Sequence, residues 1–229
     1  MAGGWPQQLL GVAAVAGWLA VLAITARVVR QRWNGQREWS RKLVHIGTGA
    51  VVPIAWALSI DRLIAVPAAG TITVLAALNH RFRLLPAIED VGRASYGTIA
   101  YGASITVLLL LFWPQQPAAV AAGVLVMAVG DGLAGLLGPL VSSPSWQIWG
   151  QRKSVVGTTA MAIGSLAMLL LVRQLAVAAG LPHPGPIALV AIAAIAVALE
   201  QVAVLGIDNF SVPLAAGWLW EQLSRSNLG

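Results

Sequence analysis

The sequence of 229 residues predicts an all-α fold: a polytopic transmembrane helix bundle of about seven spans plus a short C-terminal apolar helix. Three observations predict it. First, 58% of the residues are hydrophobic and 10% charged, with a mean hydropathy of +0.80, whereas a soluble domain carries about a quarter charged residues. The surplus apolar surface has to face lipid. Second, the apolar residues fall in runs close to the roughly 20 that a helix needs to cross a hydrocarbon core. Third, Lys and Arg gather in alternate loops. The same composition excludes disorder and a collagen-like repeat. The absence of cysteine excludes disulfides, thiolate nucleophiles and Cys-type zinc sites.

In order, the runs are 9–26, 43–60, 63–78, 96–113, 118–138, 155–172 and 187–205, with a shorter one at 210–220. The first reads as a retained span and not as a signal peptide, because Arg27, Arg30 and Arg32 follow it instead of preceding it. Pro114 and Pro117 mark one tight connection, Pro182, Pro184 and Pro186 another, and Pro53 and Pro67 lie in or near spans. Trp5, Trp33, Trp39, Trp113, Trp146 and Trp149 fall near span ends, as an interfacial belt does, while Trp18 and Trp56 lie mid-span and read as packing residues. No polar stretch is long enough for a separate soluble domain, so 1–229 reads as one integral membrane domain.

With the N-terminus outside, the loops after the first, third and fifth spans face the cytoplasm. They hold Arg27, Arg30, Arg32, Arg37, Arg41, Lys42, Arg81, Arg83, Arg93, Arg152 and Lys153; the other side keeps Arg62, Arg173 and Arg225. This positive-inside bias accounts for the net charge of +6 without nucleic acid as a partner.

An ionisable group at mid-helix costs on the order of 2.5–3.5 kcal/mol on insertion scales, so His45, Asp131, Glu200 and Asp208 stand out. In the drawn topology all four lie toward the cytoplasmic face. Arg41 and Lys42 precede His45; Lys42 and His45 are three apart and share a helix face. The cations can form a fork for phosphate and His45 can move a proton; alternatively they are flanking charges and a helix cap. Gly130-Asp131-Gly132-Leu133-Ala134-Gly135 has the letters of a dinucleotide fingerprint without the preceding strand. Its glycines admit close approach of a nucleotide or of another helix, and Asp131 offers oxygen to a hard cation such as Mg²⁺.

Arg152-Lys153-Ser154-Val155-Val156-Gly157-Thr158 sets two cations and a hydroxyl at a helix start, where free N–H groups bind phosphate; a capped helix with flanking positives is the plainer account. Glu200 and Asp208 are eight residues apart, which on one helix leaves them within about 80° of each other. They can hold Mg²⁺ or deprotonate an alcohol, or Glu200 can form a buried ion pair with Lys42 or Lys153. The loop with His80, Arg81, Arg83, Glu89, Asp90 and Arg93 reads either as nucleotide contacts or as a solvated charge cluster.

The order Arg-Lys-x-x-His, Gly-Asp-x-x-Ala, Lys-Ser-x-x-Gly-Thr, then Glu before Asp-Asn-x-x-Val-Pro resembles the polyprenol kinase family. That family includes phytol, farnesol and dolichol kinases and is related to the CDP-diacylglycerol synthases. The matching positions are Arg41, Lys42 and His45; Gly130, Asp131 and Ala134; Lys153, Ser154, Gly157 and Thr158; Glu200; and Asp208, Asn209, Val212 and Pro213. Arg93, Tyr96, Gly97 and Tyr101 are similar to the segment these kinases carry before their fourth span. The pattern is most similar to bacterial or plastid phytol kinases.

The resemblance implies transfer of phosphate from CTP or UTP to the hydroxyl of a prenyl alcohol held in the bilayer, phytol first, assisted by Mg²⁺ at the cytoplasmic face. It implies a nucleotide site of Gly130, Arg152, Lys153, Ser154, Gly157 and Thr158, and metal ligands Asp131 and Asp208. His45 or Glu200 would be the base, with Lys42 and Arg41 steadying the moving phosphoryl group. Two departures stand out: Ile207 replaces the first of two adjacent aspartates often found before the Asn, and Val156 replaces the Glu usual in the lipid cytidylyltransferases. The second argues for the kinase branch over the alternative, a CDP-lipid synthase.

Overall fold

The computed structural model describes residues 4–33, 37–82 and 96–226. Arg83, Glu89, Asp90 and Arg93, and the side chain of Arg37, lie outside what is described. Helix α1 (Trp5–Arg32) has a proline in its first turn, where a missing N–H costs nothing. The second run is two helices, α2 (Arg37–Gly49) and α3 (Val51–Ala57). Pro53 has no N–H for Gly49 O and its ring crowds that carbonyl, so the helix breaks at Ala50. Then come α4 (Arg62–Phe82) and α5 (Gly97–Phe112).

The fifth run forms α6 (Pro117–Leu125), a π-helical turn (Val126–Asp131) and α7 (Gly132–Leu140). Strands β1 (Ser145–Ile148) and β2 (Gln151–Ser154) follow, then α8 (Val155–Ala178), α9 (Pro186–Val202) and α10 (Asp208–Arg225).

The fold is all-α as the sequence predicts, and carries one short hairpin besides its helices. β1 and β2 pair antiparallel, with Trp146 opposite Lys153 and Gln147 opposite Arg152. Trp149 and Gly150, at φ +51° and +76°, make the two-residue left-handed turn that suits strand twist. Arms of four residues are too short for their alternation to stand out from an ordinary loop.

Among the described residues four helices are long and apolar enough to cross a bilayer alone: α1, α4, the continuous Pro117–Leu140 stretch and α8. α5 and α9 are apolar but only 16 and 17 residues long. The expected seven or so runs are thus four long helices, two shorter ones and the broken α2–α3 pair.

The fifth run is the axis. In its apolar window 61% of residues are buried, against 6% in α4 at the rim. Every residue of α6 is buried. Small side chains let α10 approach backbone to backbone: a Cβ on Gly123 would collide with Pro213 O, and one on Gly217 with Ala119 O. α10 contains the last short run, 210–220. It begins at Asp208, and near its other end Glu221 accepts a hydrogen bond from Gln116 Nε2 at 2.6 Å, so it runs the length of the bundle. Trp113 is buried, donating from Nε1 to Ile60 O at 2.9 Å, and does not belong to an exposed belt. Trp18 Nε1 donates to Gly47 O at 2.8 Å and ties α1 to α2.

Candidate active site

The π-helical turn and α2 build the first half of the site. In a π turn the N–H groups reach back five residues instead of four, and here the turn presents Met127 O and Asp131 to α2. Lys42 is buried; its Nζ donates to Asp131 Oδ2 at 2.5 Å and to Asp131 O at 3.1 Å. One turn on, His45 Nε2 lies 3.3 Å from both Asp131 Oδ2 and Met127 O. Both neighbours are acceptors, so the neutral ring carries its proton on Nε2 and its lone pair on Nδ1. Tyr101 of α5 backs the imidazole, ring centroids 4.5 Å apart. A Cβ on Gly135 would overlap Lys42 Cε and Nζ, so this glycine makes the slot through which Lys42 reaches Asp131.

The hairpin and α8 build the second half. Ser154 caps α8, its Oγ accepting from Gly157 N at 3.2 Å. Lys153 Nζ donates to Glu200 O at 2.8 Å and pairs with Glu200 Oε1. Glu200 is therefore in the buried ion pair weighed as its alternative role. Gln201, which the sequence did not single out, donates from Nε2 to Glu200 Oε2 at 2.9 Å and to Thr158 Oγ1 at 3.0 Å. Nothing in the sequence pairs residues 158 and 201; only the α8–α9 contact does.

Other expected residues are placed differently. Arg152 neighbours Lys153 on a strand and so faces the opposite way, exposed, with Nε donating to Ser145 Oγ at 3.2 Å. Arg41 donates to Glu38 Oε2 at 3.0 and 2.7 Å, a local pair one turn away, and reaches Asp131 and His45 only through its charge. Gly130 is buried, and a Cβ there would meet Ser165 Oγ and Met161 Sδ at 2.6 and 2.7 Å. That is the helix-packing role; the close approach is to α8. Gly157 likewise nestles against Gly138, the glycines of α7 and α8 allowing close contact.

Glu200 and Asp208 do not share a helix. The chain leaves α9 at Val202 and turns through Leu205 and Gly206, both at positive φ, before α10 begins at Asp208. The turn still returns Asp208 to the cluster, within electrostatic reach of Asp131, Lys153, Glu200 and Lys42. Two lysines thus face three carboxylates.

Among the described residues no group of three His, Asp or Glu forms a protein-only metal cage. Mg²⁺ does not need one, because one or two carboxylates plus substrate phosphates commonly hold it. Asp208 fits that pattern. It is half-buried, and among the described residues it has a hydrogen bond from Asn209 Nδ2 at 3.3 Å and no lysine or arginine partner.

A capped helix start, a buried and a largely buried lysine, an oriented histidine and a carboxylate with no lysine or arginine partner among the described residues, gathered at one end of an apolar bundle, define the polar site of a membrane-embedded enzyme. Over 222 residues, 92% of this chain and 93% of the relative, the sequence is 38% identical to a phytol kinase of Synechocystis sp.. The chain belongs to the phytol kinase family and is a kinase. No family model matches it, and no solved structure matches it.

Proposed function

We propose that this chain transfers the γ-phosphate of CTP or UTP to the hydroxyl of a prenyl alcohol, phytol first, at the cytoplasmic face of its membrane. The observation that carries the proposal is the meeting of Lys42, His45 and Asp131 with Lys153, Glu200 and Asp208, drawn from four separate helices and a hairpin. The 38% identity to a phytol kinase supports the acceptor class. An alcohol with a lipid-soluble tail brings its hydroxyl to the interface, where such a site meets a nucleotide from water.

In this reading the α8 N-terminus, Lys153 and Lys42 hold the phosphates, using free N–H groups and point charges. Asp208, with Asp131 within electrostatic reach, would hold Mg²⁺, which supplies neutralisation of the phosphate oxygens when bound. His45 is favoured over Glu200 as the base. Both Glu200 oxygens already accept from Lys153 and Gln201, whereas His45 Nδ1 keeps a lone pair. The alcohol gives its proton to Nδ1, its oxygen bonds to the γ-phosphorus, and the bond from that phosphorus to the β–γ bridging oxygen breaks. The electron pair leaves on the nucleoside diphosphate. Asp131 steadies the imidazolium, and Lys42 steadies the transferring group.

The test is incubation of the purified protein with phytol, geranylgeraniol, farnesol or dolichol and each γ-labelled nucleotide with Mg²⁺. Label in the extracted lipid, greatest for phytol with CTP or UTP, is the expected result. Lipid without label overturns the proposal. Pyrophosphate release with a phosphorylated lipid would assign the chain to the CDP-lipid synthases.

A further inference from the structure

Gln201 makes a contact that no role described so far requires. It is the residue after Glu200 on the last turn of α9, so the two side chains leave the helix about 100° apart. Its amide nonetheless folds back, and Nε2 donates to both Glu200 Oε2 (2.9 Å) and Thr158 Oγ1 (3.0 Å) on the first turn of α8. The amide's own oxygen is buried and has no hydrogen-bond partner. The reversed amide would set that oxygen against the Glu200 carboxylate, so the observed orientation is the one in which the carboxylate finds a donor.

A buried acceptor left unmade is costly, and a residue kept here for packing alone would be apolar, like Ala196 and Val197 one turn before. The arrangement keeps the donor where Glu200 needs it and tolerates the unpaired oxygen. Glu200 in turn holds Lys153 through both Oε1 and its main-chain O. Four groups form one chain across two helices and the hairpin: Thr158, Gln201, Glu200, Lys153.

We infer that Gln201 is a positioning residue for nucleotide binding: braced by the Thr158 hydroxyl, it fixes the Glu200 carboxylate and so aims Lys153 at the phosphate site beside the α8 N-terminus. Thr158 acts through this brace and not by touching the nucleotide. The inference rests on the proposed kinase reading, in which Lys153 meets phosphate.

The experiment measures steady-state kinetics for nucleotide and alcohol, with melting midpoints, for Gln201→Leu, Thr158→Val, their double variant, Thr158→Ser and Lys153→Met. Gln201→Leu is expected to raise the nucleotide KM about tenfold, the scale of one hydrogen bond to a buried charge, and to leave the alcohol KM unchanged. Thr158→Val, which keeps the side-chain shape and tests the brace even if Gln201→Leu folds poorly, gives the same shift. The double variant is no worse than either single one, and Thr158→Ser restores the parent value. Separate, additive losses from the two single variants would overturn the inference, as would equal rises in both KM values or a nucleotide KM unchanged by Gln201→Leu and Thr158→Val. Lys153→Met separates the levels: if it too leaves the nucleotide KM unchanged, the phosphate site itself is misassigned. If it alone raises that KM, only the role of Gln201 and Thr158 fails.

Discussion

Lys42 offers the most discriminating perturbation, because it is 4% exposed and its ammonium gives both of its hydrogen bonds to one residue, at 2.5 Å to Asp131 Oδ2 and 3.1 Å to Asp131 O. Lys42→Met keeps an unbranched apolar stem beside Gly135 and deletes the charge. The Asp131 side chain, 15% exposed, then keeps His45 as its one side-chain contact among the described residues. Removing one partner of a buried pair costs about 3–5 kcal/mol, most of it the penalty of the orphaned charge. At about 2–4 °C per kcal/mol for a chain of this size, the unfolding midpoint in detergent falls by roughly 6–20 °C.

Combining Lys42→Met with Asp131→Asn removes both charges and leaves an amide oxygen to accept from His45. The midpoint of the double variant should then return to within about 6 °C of the parent, since losing a whole buried pair is often close to neutral. Activity should not return. Both variants lose at least about 100-fold in transfer of labelled γ-phosphate, equivalent to about 2.7 kcal/mol of barrier. Melting and transfer are measured on the same micellar preparations. A Lys42→Met midpoint within 2 °C or so of the parent, below the smallest shift worked out above, would refute the pair as drawn. Full transfer by the double variant would refute its part in the chemistry.

Two further outcomes follow from the same geometry. Gly135→Ala puts a methyl group where Lys42 Cε and Nζ now lie; overpacking of this kind costs about 1–3 kcal/mol, and transfer should fall at least about tenfold because the ammonium must leave Asp131. Parent-like transfer by that variant would show that the slot has no part in positioning Lys42. Asp208→Asn should raise the Mg²⁺ concentration for half-maximal transfer at least about tenfold, as expected on losing one of very few carboxylate ligands, without lowering the melting midpoint in metal-free buffer. An unchanged Mg²⁺ requirement would move the metal to other residues.

Much of the architecture was legible because lipid enforces a simple rule: long apolar runs become helices, and the four longest described helices coincide with the first, third, fifth and sixth runs. The polar cluster was legible for a related reason. Ionisable groups are rare enough in such runs that His45, Asp131, Glu200 and Asp208 stand out in the sequence, and Lys42 follows from its three-residue spacing to His45. What failed was whatever depends on local backbone detail. The break at Ala50 comes from one proline three residues on; the hairpin comes from a left-handed Trp-Gly pair. The π turn that presents Met127 O to His45 has no recognisable signature in Val126-Met127-Ala128-Val129-Gly130-Asp131. Counting residues from Glu200 to Asp208 along one helix assumed continuity that Leu205 and Gly206 interrupt. Partner choice was hidden for the same reason: Arg41 turns to Glu38 and Arg152 to the outer hairpin face, although each is adjacent in sequence to a lysine that turns inward.

The pairing also explains how so many charges are tolerated in a bundle this apolar. Lys42 with Asp131 and Lys153 with Glu200 cancel as two buried pairs, each with further donors or acceptors on its atoms, the condition under which a buried pair offsets its desolvation. Among the described residues Asp208 is left without a cation of its own, within electrostatic reach of both pairs. On the proposed reading this remainder has a consequence for the order of events. The lysines are engaged before any nucleotide arrives, so phosphate oxygens must compete with Asp131 and Glu200 for them, while Asp208 can take a cation without breaking either pair. A nucleotide accompanied by Mg²⁺ would therefore meet less resistance than the free tetra-anion, because Asp208 would hold the cation while the phosphates compete with Asp131 and Glu200 for the lysines.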